Sequence, residues 1–159
     1  MCLNSQYSLG NFGTSQLNNI PFFFIRGGLS IDKTYRVGEW LSGSSRTWFS
    51  NEELTFPEMR ICLDDYSNSK QDIVLSHVPP ACVINHIHRE NSILGKYGFA
   101  DGFMENTSLL GDECLKEHRP KLWVFGHHHK SFDKVIDGTR FVCLAELEVM
   151  ILDETYRSC

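Results

Sequence analysis

The sequence of 159 residues has few positive charges and no long apolar run. Lysine and arginine total 15 against 20 acidic residues, which gives a formal net charge of −5, and no cluster of basic residues occurs. A nucleic-acid groove needs such a cluster, so we do not expect direct nucleic-acid binding by this chain. The longest dense apolar run, Ile20–Ile25, is far shorter than the roughly 18 residues that suggest a membrane span.

Signals for secretion and for a cysteine-based framework are missing as well. The start of the sequence lacks the charged-then-apolar order of a signal peptide. The six cysteines form no Cys-x-x-Cys pair. We therefore expect a cytoplasmic protein whose reduced thiols act as small hydrophobic side chains, although an even cysteine count leaves disulfides open. Cys82 is interpreted as structural rather than as a metal ligand.

The chain also lacks repeats, low-complexity tracts and a phosphate-binding glycine loop. What it does contain is 42% hydrophobic residues and 11 phenylalanines, enough for one globular domain with a core. Residues 1–19 are rich in Ser, Asn, Gln and Gly and are predicted to be an irregular lead-in. Residues 20–159 are assigned to a single domain.

Apolar runs and turn signals give a coarse secondary structure. Strands are predicted at Pro21–Arg26, Asp72–Ser76 and Leu122–Phe125, and a loop over Gly38–Ser50. Thr55–Glu58 is a capping box with proline at the first helical position, which predicts a helix to about residue 68.

Later in the chain, Thr107 or Ser108 is predicted to cap a helix that ends near His118. The dipeptide Asp137-Gly138 predicts a two-residue hairpin turn between two strands. A third strand at Glu148–Leu152 completes a predicted antiparallel meander.

Gly126-His127-His128-His129 follows the apolar run Leu122–Phe125 directly. Imidazoles at the end of a buried strand are held in place by the scaffold. His127 and His129 are two residues apart, so in extended geometry they leave the same face about 6–7 Å apart at Cα. That spacing suits ligands to two metal ions about 3.5–4 Å apart. His128 is expected to point away, and a solvated polar loop is the alternative for all three.

His77 stands at the end of a second predicted buried strand, because Pro79 and Pro80 stop that strand. Two such strands with a helical segment between them are typical of a βαβ layer, in which sites collect beyond the carboxyl ends of the strands. The alternative is a hydrogen-bonded core histidine at position 77 that is unrelated to the later cluster.

Ser-His-x-Pro-Pro at residues 76–80 and Gly-His-x-His at residues 126–129 resemble two motifs of the calcineurin-like metallophosphoesterases. Arg26–Lys33, Trp48–Glu53 and Arg119–Phe125 fit the same family, and the resemblance covers roughly residues 20–153. It implies an α+β fold: part of a four-layer α/β/β/α sandwich with a C-terminal antiparallel β-meander. It also implies a metal-dependent phosphoric ester hydrolase.

The family pattern makes His77 and His127 ligands of one metal ion and His129 a ligand of the other. Its earlier motifs, Asp-x-His, Gly-Asp and Gly-Asn-His, have no counterpart at the expected positions. The complete site would hold two divalent ions, such as Mn, Fe or Zn. Three neutral imidazoles cannot offset the repulsion between two such ions, so this chain alone is expected to hold at most one.

The sequence therefore predicts the C-terminal portion of a phosphoesterase domain, inactive alone, with no catalytic residue assigned. A separate polypeptide carrying the absent motifs is the expected partner, phosphate esters are the expected substrates, and self-association is expected from an unpaired sheet edge and apolar face. His86 and His88 are candidates for the substrate cleft, with a solvated loop or helix face as their alternative. A non-catalytic binding or scaffold protein is the alternative function.

Overall fold

A computed structural model describes residues 10–30, 32–45, 47–49, 51–87 and 103–152 of the chain. These residues form six strands and four helices in the following order. They are β1 Phe12–Leu17, β2 Ile20–Ile25, α1 Lys33–Leu41, α2 Phe56–Ser69, β3 Ile73–Ser76, α3 Ala81–Ile87, α4 Asn106–Glu117, β4 Leu122–Phe125, β5 Phe132–Ile136 and β6 Thr139–Cys143.

The six strands form one mixed sheet in the order β1-β2-β3-β4-β6-β5. The four inner strands β2, β3, β4 and β6 are parallel, and β1 and β5 pair antiparallel at the two edges. All four parallel strands therefore end at the same edge of the sheet. The segments after them meet there, and this carboxyl edge is where ligand sites occur in sheets of this kind.

Side chains of the inner strands are buried on both faces of the sheet, which explains their nearly continuous apolar sequences. On one face, Phe23, Trp123 and Phe141 pack against helices α2, α3 and α4. On the other, Ile73 and Leu122 belong to a second apolar cluster. The α+β class is confirmed, and the described residues contribute a sheet and one helical layer to it.

Helix α2 begins as the sequence predicts. Thr55 and Glu58 form the reciprocal capping box, and each accepts a hydrogen bond from the other's backbone N–H. Met59, Cys62 and Tyr66 bury one face of the helix in the core. The four described cysteines, Cys62, Cys82, Cys114 and Cys143, are free thiols. None of the helices in the described part of the chain is long and apolar enough to span a bilayer.

Three predicted elements that precede the C-terminal meander differ from the structure. The prediction of an irregular lead-in is wrong for Phe12–Leu17, which form β1. This segment is a strand despite its polar composition because it pairs with the buried strand β2. The loop prediction is wrong for residues 38–41, where α1 continues to Leu41 despite Gly38. Helix α4 begins earlier than predicted, with Glu105 at its N-cap position instead of Thr107 or Ser108.

The C-terminal meander is confirmed only for its first two strands. β5 and β6 form the hairpin, and Asp137 and Gly138 take the positive φ values that its turn requires. Residues 148–152 do not form a third strand. Their side chains alternate as in a strand, since Met150 and Leu152 pack on the sheet while Val149 and Ile151 are exposed. No strand in the described part of the chain pairs with them, however.

Candidate active site

At the carboxyl edge, backbone hydrogen bonds hold His77 between the end of β2 and the residue after β4. The His77 N–H donates to the carbonyl of Ile25 at 3.3 Å, and the His77 carbonyl accepts from the Gly126 N–H at 3.2 Å. The ladder of the parallel sheet thus continues one residue past β3. These two hydrogen bonds fix the position of the His77 Cα, so only side-chain rotation can move the imidazole.

A buried side-chain relay fixes the turn that follows β3. The indole N–H of Trp123 donates to Ser76 Oγ at 2.8 Å, and Ser76 Oγ donates to the carbonyl of Val78 at 2.6 Å. Trp123 is only 1% exposed, so the relay is anchored in the core. The serine before His77 therefore shapes the turn, and no nucleophilic role is needed to explain it.

The rings of His77 and His127 meet at this edge. Nε2 of His77 lies 3.0 Å from Nδ1 of His127, and the ring centroids are 4.7 Å apart. Two nitrogens that each lie roughly 2.0–2.1 Å from one ion are about 2.9–3.4 Å apart, depending on coordination geometry. The pair therefore has the spacing of two ligands to a single metal ion.

His127 holds this position with an unusual backbone. Its φ is +67°, and the His128 N–H donates to the Gly126 carbonyl at 2.8 Å across it. A tight turn of this kind with positive φ is rare and costs on the order of 1–3 kcal/mol for a residue other than glycine. A histidine in a backbone conformation that favours glycine indicates a functional role for its imidazole.

The local environment keeps both imidazoles neutral. Desolvation lowers the pKa of His127 to about 4, and His77 and His129 add to this by repelling its positive charge. Desolvation also lowers the pKa of His77, and Glu52 opposes that effect. Because a metal binds the unprotonated ring, both groups are in the ligand form at neutral pH.

His129 makes a different contact. Its Nδ1 lies 2.6 Å from Oε1 of Glu146, which follows β6. Both side chains are largely exposed, so this contact adds little to stability. A carboxylate on Nδ1 leaves Nε2 facing outward, the arrangement that orients many metal-binding histidines. Sequence reasoning missed Glu146, because this residue stands in no recognisable motif.

The other histidines are placed as follows. His128 packs edge-on against Phe125, with 6.4 Å between ring centroids, and its ring is 5.5 Å from that of His127. His86 is exposed on α3. His88 lies outside the described residues, so the prediction that these last two line a substrate cleft stays a prediction.

Sequence reasoning missed a half-buried glutamate that lies, like His77, next to Gly28. Oε2 of Glu105 accepts a hydrogen bond from the Leu29 N–H at 2.5 Å. Burial raises the pKa of Glu105 to about 7, and the Leu29 N–H opposes this effect. A single glutamate before a helix has no distinctive spacing, so only the tertiary structure could identify it.

The donor set of the described residues is incomplete for a metal centre. His77 and His127 fit two positions around one ion, but the described ranges contain no group of three or more His, Cys, Asp or Glu side chains arranged to hold one. The roles predicted for His77, His127 and His129 as ligands therefore stay predictions.

A family model, the calcineurin-like phosphoesterases, matches residues 4–131 of this sequence. This match covers most of the 159 residues and includes β1, which precedes the segment whose motifs suggested the family. No curated protein matches the sequence significantly. Members of the family typically bind divalent metal ions and act on phosphate esters. The chain belongs to the calcineurin-like phosphoesterase family, as its two histidine motifs predicted.

Proposed function

We propose that this chain contributes part of a metal-dependent site for phosphate-ester hydrolysis. His77 and His127 would be ligands of one divalent ion, and His129 would be a ligand of a second, as the family pattern implies. The observation that carries the proposal is the 3.0 Å approach of Nε2 of His77 to Nδ1 of His127 at the ends of adjacent parallel strands.

Bound divalent ions would neutralise charge on a phosphate ester and polarise its phosphorus–oxygen bonds. The protein's own part is to present two neutral imidazoles from a rigid edge. With a formal net charge of −5, the chain repels phosphate without bound cations, so we expect substrate binding to depend on metal.

We further propose that hydrolysis requires carboxylates beyond those of this chain. The sequence contains no Asp-x-His or Gly-Asn-His, and neutral ligands cannot hold two like charges close together. The test is to mix the chain with a polypeptide that carries Asp-x-His, Gly-Asp and Gly-Asn-His. We expect about two divalent ions per complex and hydrolysis of a generic phosphomonoester or phosphodiester.

His77→Ala is the matched loss-of-function variant in that mixture, and His118→Ala is its control. His118 lies at the end of α4, where its Nε2 is 3.1 Å from the Gln71 carbonyl, away from the candidate site. Hydrolysis that persists with His77→Ala, or that disappears equally with His118→Ala, would contradict the proposal.

A non-catalytic binding protein is the second candidate. It is favoured by the incomplete donor set, since the described ranges hold no group of three or more ligating side chains. A reconstituted mixture that binds metal yet hydrolyses no phosphate ester would establish this alternative.

We also expect the isolated chain to self-associate. Leu147, Val149 and Ile151 are exposed along one segment, with at least 82% of each residue's surface accessible, and exposed apolar side chains in a row promote association. Light scattering over a range of concentrations measures this. A single monomeric species at high concentration would contradict the prediction.

A further inference from the structure

The segment Gly27–Ser30 follows β2 at the carboxyl edge, and the proposed metal-binding role leaves it unexplained. It lies directly against His77. A Cβ built on Gly28 would be 2.8 Å from Cδ2 of His77 and 2.8 Å from Cγ1 of Val78. Contacts that short essentially never occur, so the Gly28 backbone occupies the space beside the imidazole and limits how far the ring can turn.

Residues 51–52 hold one side of this segment. The Gly28 N–H donates to the Glu52 carbonyl at 3.2 Å, and the Ser30 hydroxyl donates to Oε2 of Glu52 at 2.7 Å. The Arg26 guanidinium donates to the Asn51 carbonyl at 2.6 Å. These contacts fix the segment through residues that do not belong to α4.

Glu105 makes a further contact to the same segment. Its Oε2 accepts from the Leu29 N–H, 76 positions earlier in the chain, and lies 3.4 Å from the position of a Cβ on Gly28. Glu105 is the N-cap residue of α4, yet its side chain makes no capping hydrogen bond to that helix. The carboxyl group that could cap α4 is used instead to hold the segment beside His77.

We propose that Glu105 is a positioning residue for His77. Its carboxyl oxygen holds the Gly28–Leu29 backbone against the imidazole, and this backbone keeps Nε2 of His77 directed at Nδ1 of His127. The inference rests on the proposed function for its consequence in metal binding. The orientation of the ring can be measured without metal.

The role requires a hydrogen-bond acceptor at Glu105, not a charge. Glu105→Gln retains an acceptor of the same length, whereas Glu105→Ala removes it. Because Glu105 caps no helix N–H, the alanine variant should lose the contact to Leu29 without losing a helix cap. Gly28→Ala disturbs the same packing while the chain retains the Glu105 carboxyl group.

The matched control is Asp112→Ala. Asp112 lies on the same helix, and its Oδ1 likewise accepts from a distant backbone N–H, that of Cys82 at 2.9 Å. If Glu105 mattered only by joining α4 to the rest of the protein, Asp112→Ala would have a comparable effect on the histidine rings.

The experiment uses the full chain labelled at histidine and leucine and observed by NMR without metal, followed by calorimetric titration with zinc. We expect Glu105→Ala and Gly28→Ala to shift the His77 ring signals and weaken its nuclear Overhauser contact with His127. Exchange of the Leu29 amide should accelerate in Glu105→Ala. Zinc affinity should fall about 10- to 100-fold in both, as when a group that orients a metal ligand is removed.

Glu105→Gln should restore the ring signals and the zinc affinity, and Asp112→Ala should leave both unchanged. The proposal is overturned if the glutamine variant behaves like the alanine variant, if Asp112→Ala moves the ring signals equally, or if Glu105→Ala moves none of them. Absence of zinc binding by the unsubstituted chain would mean that the two imidazoles form no metal site without the absent motifs, and the metal-free spectra would then decide the positioning role.

Discussion

Replacing His127 by glycine is expected to stabilise the metal-free chain while it weakens metal binding. Glycine adopts the observed φ of +67° without the strain that a larger residue carries. After allowing for the greater freedom of glycine in the unfolded chain, we expect the free energy of unfolding to rise by about 1 kcal/mol. Zinc affinity should fall by more than about 100-fold, because removing a metal ligand weakens binding more than removing a group that only orients a ligand.

The gain in stability should grow on acidification. The pKa of His127 is lowered from 6.5 to about 4, so between these values the unfolded chain binds a proton that the folded chain does not. The wild-type chain therefore loses stability as the pH falls from 6.5 toward 4, and the glycine variant lacks this loss. Urea denaturation at pH 5 and pH 7.5 measures the difference.

Lys70→Gly is the control for the backbone effect. Lys70 ends α2 in the left-handed region with a φ of +46°, so glycine there should also raise stability, because it is favoured at such helix ends. It should leave zinc affinity unchanged. If His127→Gly lowered the stability of the metal-free chain or retained full zinc affinity, the interpretation of His127 as a strained ligand would be wrong.

The second large effect is expected for Glu105→Gln and depends on pH. Burial raises the pKa of Glu105 from 4.5 to about 7, so the folded chain keeps a proton that the unfolded chain loses between these values. Stability from this group is fully present below pH 4.5 and declines as the pH rises to about 7. Glutamine does not ionise, so it removes this decline.

We therefore expect the free energy of unfolding of Glu105→Gln to exceed that of wild type by about 2–3 kcal/mol at pH 8.5 and to match it near pH 4.5. The lowered pKa values of His77 and His127 change stability in the opposite direction. The measurement must for this reason compare the variant with wild type at each pH. A glutamine variant that is less stable than wild type at pH 8.5 would show that the ionised carboxylate is stabilised at this position.

Local chemistry explains which elements the sequence predicted. The capping box at Thr55–Glu58 and the turn at Asp137-Gly138 are formed by neighbouring residues, so their effect is visible without the rest of the fold. The apolar runs before His77 and His127 are recognisable because parallel strands are buried on both faces. The strand β1 was missed because its pairing with β2, and not its own polar sequence, forms it.

The sequence by itself determined that two histidines end two buried strands, and the motifs around them identified the family. Only the tertiary structure decided that the strands are adjacent and parallel, which brings nitrogens 50 positions apart to within 3.0 Å. It also decided that Gly28 lies against one of those rings and that Glu105 binds the backbone of the next residue, Leu29. The physical reason is that a strand end is encoded by nearby residues, whereas the partners of a side chain depend on how distant segments pack.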